Sequence, residues 1–156
     1  MTPSQPLSGV IEDDEHRLMV RVYYEDTDFT GLVYHANYLK YFERGRSDFL
    51  RVRGVHHTEL RAHEDQLAFA VAHIDLRYRS PARIDDVLTV RTRVAGARGA
   101  QIFMEQSCTR DGVVLCEGRF DIVCIDGSGR PRRLPKRLAD ALKGGEIQAS
   151  EAEKSA

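Results

Sequence analysis

Two side chains that could act on a carbonyl group lie close together in the N-terminal third of the chain. Asp28 ends the polar run Glu25-Asp26-Thr27-Asp28, and His35 follows after a short loop. A carboxylate can act as nucleophile or general base, and an imidazole can donate a hydrogen bond or a proton. Asn37 stands where a helix is predicted to start, and the first N–H groups of a helix can stabilise developing negative charge. These residues indicate a site for attack on a carbonyl.

The same residues also have a purely structural interpretation. Asp26 and Asp28 can form an Asx-type turn, in which a short acidic side chain accepts hydrogen bonds from nearby backbone N–H groups. His35 is then only a polar residue near a helix start. The residue pattern leaves both interpretations open.

The elements that must position these side chains follow one another directly. A run rich in β-branched and aromatic residues predicts a strand from Leu18 to Tyr24, which ends where the carboxylates begin. Gly31 permits a positive φ or a close backbone approach to a ligand. Asn37, or a residue just before it, can cap the following helix.

The helix predicted from Tyr38 onward has one apolar face about four turns long. Gly45 lies on that face and costs about 1 kcal/mol relative to alanine in a helix interior. We therefore expect a sheet to pack closely against it, and Gly54 to end the helix. The apolar face comprises Tyr38, Leu39, Phe42, Gly45, Phe49 and Leu50.

Four further strands are predicted after the helix, joined by short turns. Strand, long helix and four strands predict an α+β domain in which a five-stranded antiparallel sheet covers one helix. The first of these strands is expected to begin buried and to end with one exposed face. The predicted strands are Leu67–Arg79, Val87–Val94, Gln101–Thr109 and Val113–Ile125.

The last two strands allow a prediction of register. Their apolar residues are mostly even-numbered, and a two-residue loop would set the apolar face of one strand against the polar face of the other. A three-residue loop, Arg110-Asp111-Gly112, aligns the faces with a G1 bulge at Gly112. It pairs Cys108 with Val114 and Cys116 with Gln106, which leaves the two cysteines diagonal.

Length and composition favour a single domain of ordinary size. The 156 residues carry a net charge of −1, so global charge does not indicate nucleic acid as a partner. The three cysteines form no C-x-x-C pair, and no run is long and apolar enough for a transmembrane segment or shaped like a signal peptide. We expect a cytoplasmic protein with a flexible N-terminal arm (1–16), one domain (17–142) and a disordered tail (143–156).

The central stretch resembles a known family. Asp-Thr-Asp, Gly31, Val33-Tyr34-His35, Asn37-Tyr38 and a helix with Glu43-Arg44 and Arg46 are similar to the 4-hydroxybenzoyl-CoA thioesterase family of hotdog-fold enzymes. Within that family they most resemble the acyl-CoA thioesterase branch associated with the bacterial Tol-Pal system. The resemblance extends from about Arg17 to Leu138. Departures from the family pattern are Leu32, Phe29-Thr30 and Gly45.

The resemblance implies a hotdog fold and roles for individual residues. Asp28 is implied to be the catalytic carboxylate and His35 to assist it, with a backbone N–H nearby polarising the thioester carbonyl. The residues implied to bind substrate or shape the pocket are Gly31, Tyr34, Asn37, Tyr38 and Arg98.

The resemblance further implies an acyl-CoA thioesterase that releases a small or medium carboxylic acid and free coenzyme A. It needs no metal or redox cofactor, and it pairs into homodimers that assemble to homotetramers. An acyl carrier protein is a possible alternative source of substrate. Two other functions fit the same fold, a non-hydrolytic acyl-thioester-binding or cell-envelope scaffold protein and a dehydratase, of which the motif disfavours the second.

Overall fold

A six-stranded antiparallel sheet and one long helix dominate the structure, a computed structural model that describes residues 6–143. The strands lie in the order β1-β2-β4-β5-β6-β3. Within the described range, no helix is long and apolar enough to cross a membrane. The tail after Lys143 lies outside the described residues. The elements are β1 (Val10–Glu12), β2 (Glu15–Arg21), α1 (Asn37–Val52), α2 (His57–Ala62), β3 (Ala68–Tyr78), β4 (Val87–Arg98), β5 (Gln101–Arg110), β6 (Val113–Ile125) and α3 (Lys136–Lys143).

Helix α1 packs its apolar face on the sheet, as predicted from the sequence. Phe42 and Phe49 are almost fully buried, and the Phe42 ring lies 5.2 Å from the ring of Phe120 on β6. A Cβ atom at Gly45 would lie 2.7 Å from Cγ1 of Val90 on β4. The expected close approach of helix and sheet is therefore confirmed, and Gly54 follows the helix with φ +82°.

The sheet has six strands because the chain forms a hairpin before the predicted first strand. β1 pairs with β2 through Val10 and Arg17, although residues 10–16 were assigned to a flexible arm. Asp13 and Asp14 form the turn with φ of 53° and 59°. Two residues with positive φ suit a two-residue hairpin turn, but the acidic pair lacks the glycine that usually signals one.

The predicted register of the β5–β6 hairpin is wrong in detail. The turn has two residues, Asp111 and Gly112, with φ of 50° and 80°. Thr109 pairs with Val114, and an irregularity follows, so that Cys108 lies directly opposite Cys116. The extra residue of β6 at this bulge aligns the apolar faces of the two strands. The sequence prediction had attributed this alignment to a three-residue loop.

Strand β3 lies at the free edge of the sheet and is more exposed than predicted. It pairs only with β6 within the described part of the chain. Val71 is 46% exposed and Ile74 is 39% exposed, although the strand was expected to begin buried. The apolar pattern alone does not distinguish an edge strand from a central one, since burial depends on what covers the strand.

Candidate active site

The Asp-Thr-Asp motif lies in a short 3-10 helix and the loop after it, not directly at a strand end. β2 ends at Arg21, and Tyr24–Asp26 forms the 3-10 turn. The Asp26 carboxylate accepts a hydrogen bond from the Tyr23 N–H at 2.8 Å. Because this bond takes up a donor that a strand would use for its ladder, the strand stops earlier than predicted.

Asp28 is exposed, and one of its carboxylate oxygens is fixed. Its Oδ1 accepts hydrogen bonds from the Thr30 N–H at 2.8 Å and the Thr30 hydroxyl at 2.5 Å. These bonds lower the pKa of Asp28 below its ordinary value, with smaller contributions from the backbone of Leu32 and from the nearby His35. Gly31 closes the turn with φ +82° and donates its N–H to the Asp28 carbonyl. Oδ2 is left to act on a substrate or a water molecule.

His35 lies at the end of the loop with its ring exposed. The ring centroid is 4.5 Å from that of Tyr34, which is itself 45% exposed. The His35 carbonyl oxygen accepts a hydrogen bond from the Tyr78 hydroxyl at 2.8 Å. The backbone here is thus attached to edge strand β3, while the imidazole is free to reach a bound molecule.

The start of α1 has no side-chain cap. Asn37 or a residue just before it was expected to cap the helix; the N-cap residue is Ala36, and Asn37 is the first helical residue. Within residues 6–143, the backbone N–H groups of His35 and Ala36 have no hydrogen-bond acceptor. Two free donors at the positive end of a helix dipole suit the stabilisation of an oxyanion.

Two predicted substrate-binding residues serve the protein's own structure. The Asn37 side chain donates to the Asp26 carbonyl oxygen at 2.9 Å. Tyr38 is 3% exposed, and its hydroxyl accepts a hydrogen bond from the Ala82 N–H at 3.2 Å. Burial raises the pKa of Tyr38 to about 12, so it is a neutral core phenol at any ordinary pH.

Arg98 lies far from the other predicted site residues of its own chain. It ends β4, whose other end, Val87, pairs with Arg21 just before the Asp-Thr-Asp turn. A strand of 12 residues spans roughly 35 to 40 Å. One chain therefore brings Asp28, Gly31, Tyr34 and His35 together, but not Arg98.

Sequence reasoning missed three residues that hold the loop. Asp26 was treated only as a turn residue, and Thr30 only as a departure from the family pattern. The Asp-x-Thr spacing does carry a local signal, because a hydroxyl two residues after an aspartate can bond to it. Tyr78 has no such signal, since its bond to His35 joins residues 43 positions apart.

The curved sheet wrapped around α1 defines a hotdog fold, with a carboxylate loop at the start of the helix. A family model described as the thioesterase-like superfamily matches residues 22–142, and the chain belongs to that superfamily.

Individual relatives match over most of their length. The acyl-CoA thioesterase YbgC of Haemophilus influenzae is 40% identical over 131 residues, covering 83% of this chain and 96% of that protein. The acyl-CoA thioester hydrolase YbgC of Escherichia coli O6:H1 is 36% identical over 129 residues, covering 81% and 95%. The crystal structure of a probable thioesterase from Bartonella henselae has a TM-score of 0.76 at 44% identity, covering 78% of this chain and 99% of that chain.

Proposed function

We propose that this protein is an acyl-CoA thioesterase, which hydrolyses an acyl-CoA to a carboxylic acid and free coenzyme A. The observation that carries the proposal is the Asp28 carboxylate, in which Thr30 binds only Oδ1, close to a helix start without a side-chain cap. The names of the relatives from H. influenzae and E. coli support the same activity.

The proposed chemistry uses Asp28, His35 and the backbone between the loop and α1. Asp28 Oδ2 either attacks the thioester carbonyl or removes a proton from the attacking water. The carbonyl oxygen becomes an oxyanion, which the N–H groups of His35 and Ala36 stabilise. Collapse of the tetrahedral intermediate breaks the C–S bond, and His35 orients the substrate or protonates the departing thiolate. On the covalent route, water then hydrolyses the acyl anhydride of Asp28.

A second copy of the chain completes this site in our proposal. Asp28 and His35 are exposed, and Phe29 between them is fully exposed, so a single chain does not enclose an acyl group. β3 offers a free edge of 11 residues with Ile74 uncovered. Antiparallel pairing of two β3 edges about their midpoints sets the Arg98 end of one sheet beside the Asp28 end of the other. Arg98 of the second copy then serves the phosphates of coenzyme A.

The finer features of the proposal rest on the family resemblance. They are assembly of homodimers into a homotetramer, association with the Tol-Pal system, and use of acyl carrier protein as another thioester donor. A cytoplasmic location is also supported by Cys108, Cys116 and Cys124, which are buried free thiols. The domain is proposed to span residues 17–142, and the pairing of β1 with β2 extends its sheet back to Val10.

Thiol release from a panel of acyl-CoAs tests the activity and finds the substrate class. The panel contains short, medium, long and aromatic acyl groups, and we expect rapid hydrolysis of at least one class. Binding of a thioether analogue without hydrolysis of any thioester would contradict the proposal and favour a binding or scaffold protein. Hydration of a 2-enoyl-CoA without hydrolysis would favour a dehydratase.

A further inference from the structure

The two aspartates of the Asp-Thr-Asp motif have opposite environments. Asp28 is exposed, whereas Asp26 is only 8% exposed. The Asp26 carboxylate accepts the Tyr23 N–H at 2.8 Å. The buried hydroxyl of Tyr41 makes no hydrogen bond of normal geometry within the described residues, but burial and the nearby Asp26 carboxylate raise its pKa. The Asp26 carboxylate is thus bonded to the backbone that follows β2 and lies near Tyr41 of α1.

The backbone carbonyl of Asp26, just before the loop, is hydrogen-bonded to two residues at the far end of the loop. It accepts the Tyr34 N–H at 2.9 Å and the Asn37 side-chain amide at 2.9 Å. Asn37 also donates its own N–H to the Tyr34 carbonyl at 2.8 Å. These bonds close the base of the loop 27–36, which carries Asp28, Gly31 and His35.

We propose that Asp26 and Asn37 form a clamp of positioning residues, which fixes the distance between the Asp28 carboxylate and the free N–H groups at the start of α1. Asn37 is then a positioning residue and not a substrate ligand. Asp26 likewise positions the loop, whereas Asp28 supplies the reacting carboxylate. This inference rests on the proposed thioesterase function. A displacement of about 1 Å between reacting groups can cost about 100-fold in rate, so hydrogen bonds remote from the substrate suffice to control turnover.

The same conservative substitution at the two aspartates separates the roles. In Asp26→Asn, the amide oxygen still accepts the Tyr23 N–H and its NH₂ group faces the Tyr41 hydroxyl, so we expect kcat within about threefold of wild type. Asp26→Ala loses the acceptor and is expected to lower kcat about tenfold or more. Asp28→Asn retains the shape but loses the reacting carboxylate, and is expected to lose about 100-fold or more.

Asn37 is tested with Asn37→Ala and Asn37→Asp, and Lys40→Ala on the exposed face of the same helix serves as the control. We expect both Asn37 variants to lower kcat about tenfold or more. Their dissociation constants for a non-hydrolysable thioether analogue of the acyl-CoA should stay within about twofold, since they lose no substrate contact. Thermal melting identifies any variant that fails to fold, and Asp26→Asn is the folded rescue variant.

The results separate failure of the clamp from failure of the proposed function. A normal kcat in Asn37→Ala, or weaker analogue binding with kcat unchanged, would overturn the clamp while leaving the thioesterase intact. If the wild type hydrolyses no thioester, the proposed function fails. Hydrogen exchange then decides whether the clamp exists, because the Tyr34 amide should exchange faster in the Asn37→Ala variant than in the Lys40→Ala variant. Equal protection of that amide in the two variants would refute the clamp.

Discussion

At the scale of single residues, the candidate site depends on how the two oxygens of Asp28 are used. Thr30 holds Oδ1 through its N–H and its hydroxyl, which leaves Oδ2 for a substrate or water. Both bonds favour the ionised carboxylate, which is the form that can attack or accept a proton. Thr30 is therefore a direct support for the Asp28 carboxylate.

Thr30→Val removes the hydroxyl bond and keeps nearly the same side-chain shape. Because that bond lowers the pKa of Asp28, its loss should raise this pKa towards the ordinary value. The acid limb of the pH profile of kcat/KM should then move to higher pH, while Thr30→Ser keeps the wild-type limb. An acid limb that is unchanged in Thr30→Val would show that the hydroxyl does not tune Asp28.

At the scale of elements, the position of the loop depends on how closely α1 approaches the sheet. A Cβ atom at Gly45 would lie 2.7 Å from Cγ1 of Val90 and 3.0 Å from Oγ1 of Thr92. Both side chains are fully buried and β-branched, so they have little freedom to move away. The absence of a side chain at Gly45 thus allows the short distance between α1 and the sheet, on which the position of the helix start depends.

Gly45→Ala should destabilise the protein by about 1 kcal/mol. Overpacking costs about 1 to 3 kcal/mol, and better helix propensity recovers about 1 kcal/mol of it. Thermal melting should show a fall of about 3 °C, and Arg44→Ala on the exposed side of the helix is the near-neutral control. In a double-mutant cycle, Val90→Ala should cost less stability in the Gly45→Ala background than in wild type. A more stable Gly45→Ala variant would contradict the close-contact account.

Local sequence patterns predicted most elements but fewer of the contacts that hold the site. The apolar period defined α1, and the Asp-Thr-Asp run and His35 marked the loop, because these signals lie within a few residues of one another. The bulge after Cys108 and the exposure of β3 were missed, since they depend on strand pairing and strand order. The roles of Asn37 and Tyr78 depend on folded-state contacts across the loop, which residue types alone do not specify.

In the whole molecule, the proposed site needs a second copy of the chain. The proposed antiparallel pairing of two sheets would account for the exposed Asp28 end, the distant Arg98 and the free edge of β3. Ile74 lies near the middle of that edge and is 39% exposed in the single chain.

Sedimentation analysis tests this assembly. The wild type should have two or four times the 17.7 kDa mass of one chain. Ile74→Arg places a charge at the proposed interface and should give monomers with a large loss of activity. Met19→Arg alters an exposed apolar residue on β2, away from the β3 edge, and should remain at least a dimer. A monomeric, active wild type would refute the shared site.

The catalytic role of Asp28 is tested by kcat/KM for thiol release from the preferred acyl-CoA at neutral pH, measured for wild type and for Asp28→Asn. This role predicts that the variant folds, binds the thioether analogue as wild type does, and loses about 100-fold or more in kcat/KM. A folded Asp28→Asn variant with nearly wild-type activity would contradict it, because Asp28 would then be a turn residue and the hydrolytic carboxylate would lie elsewhere.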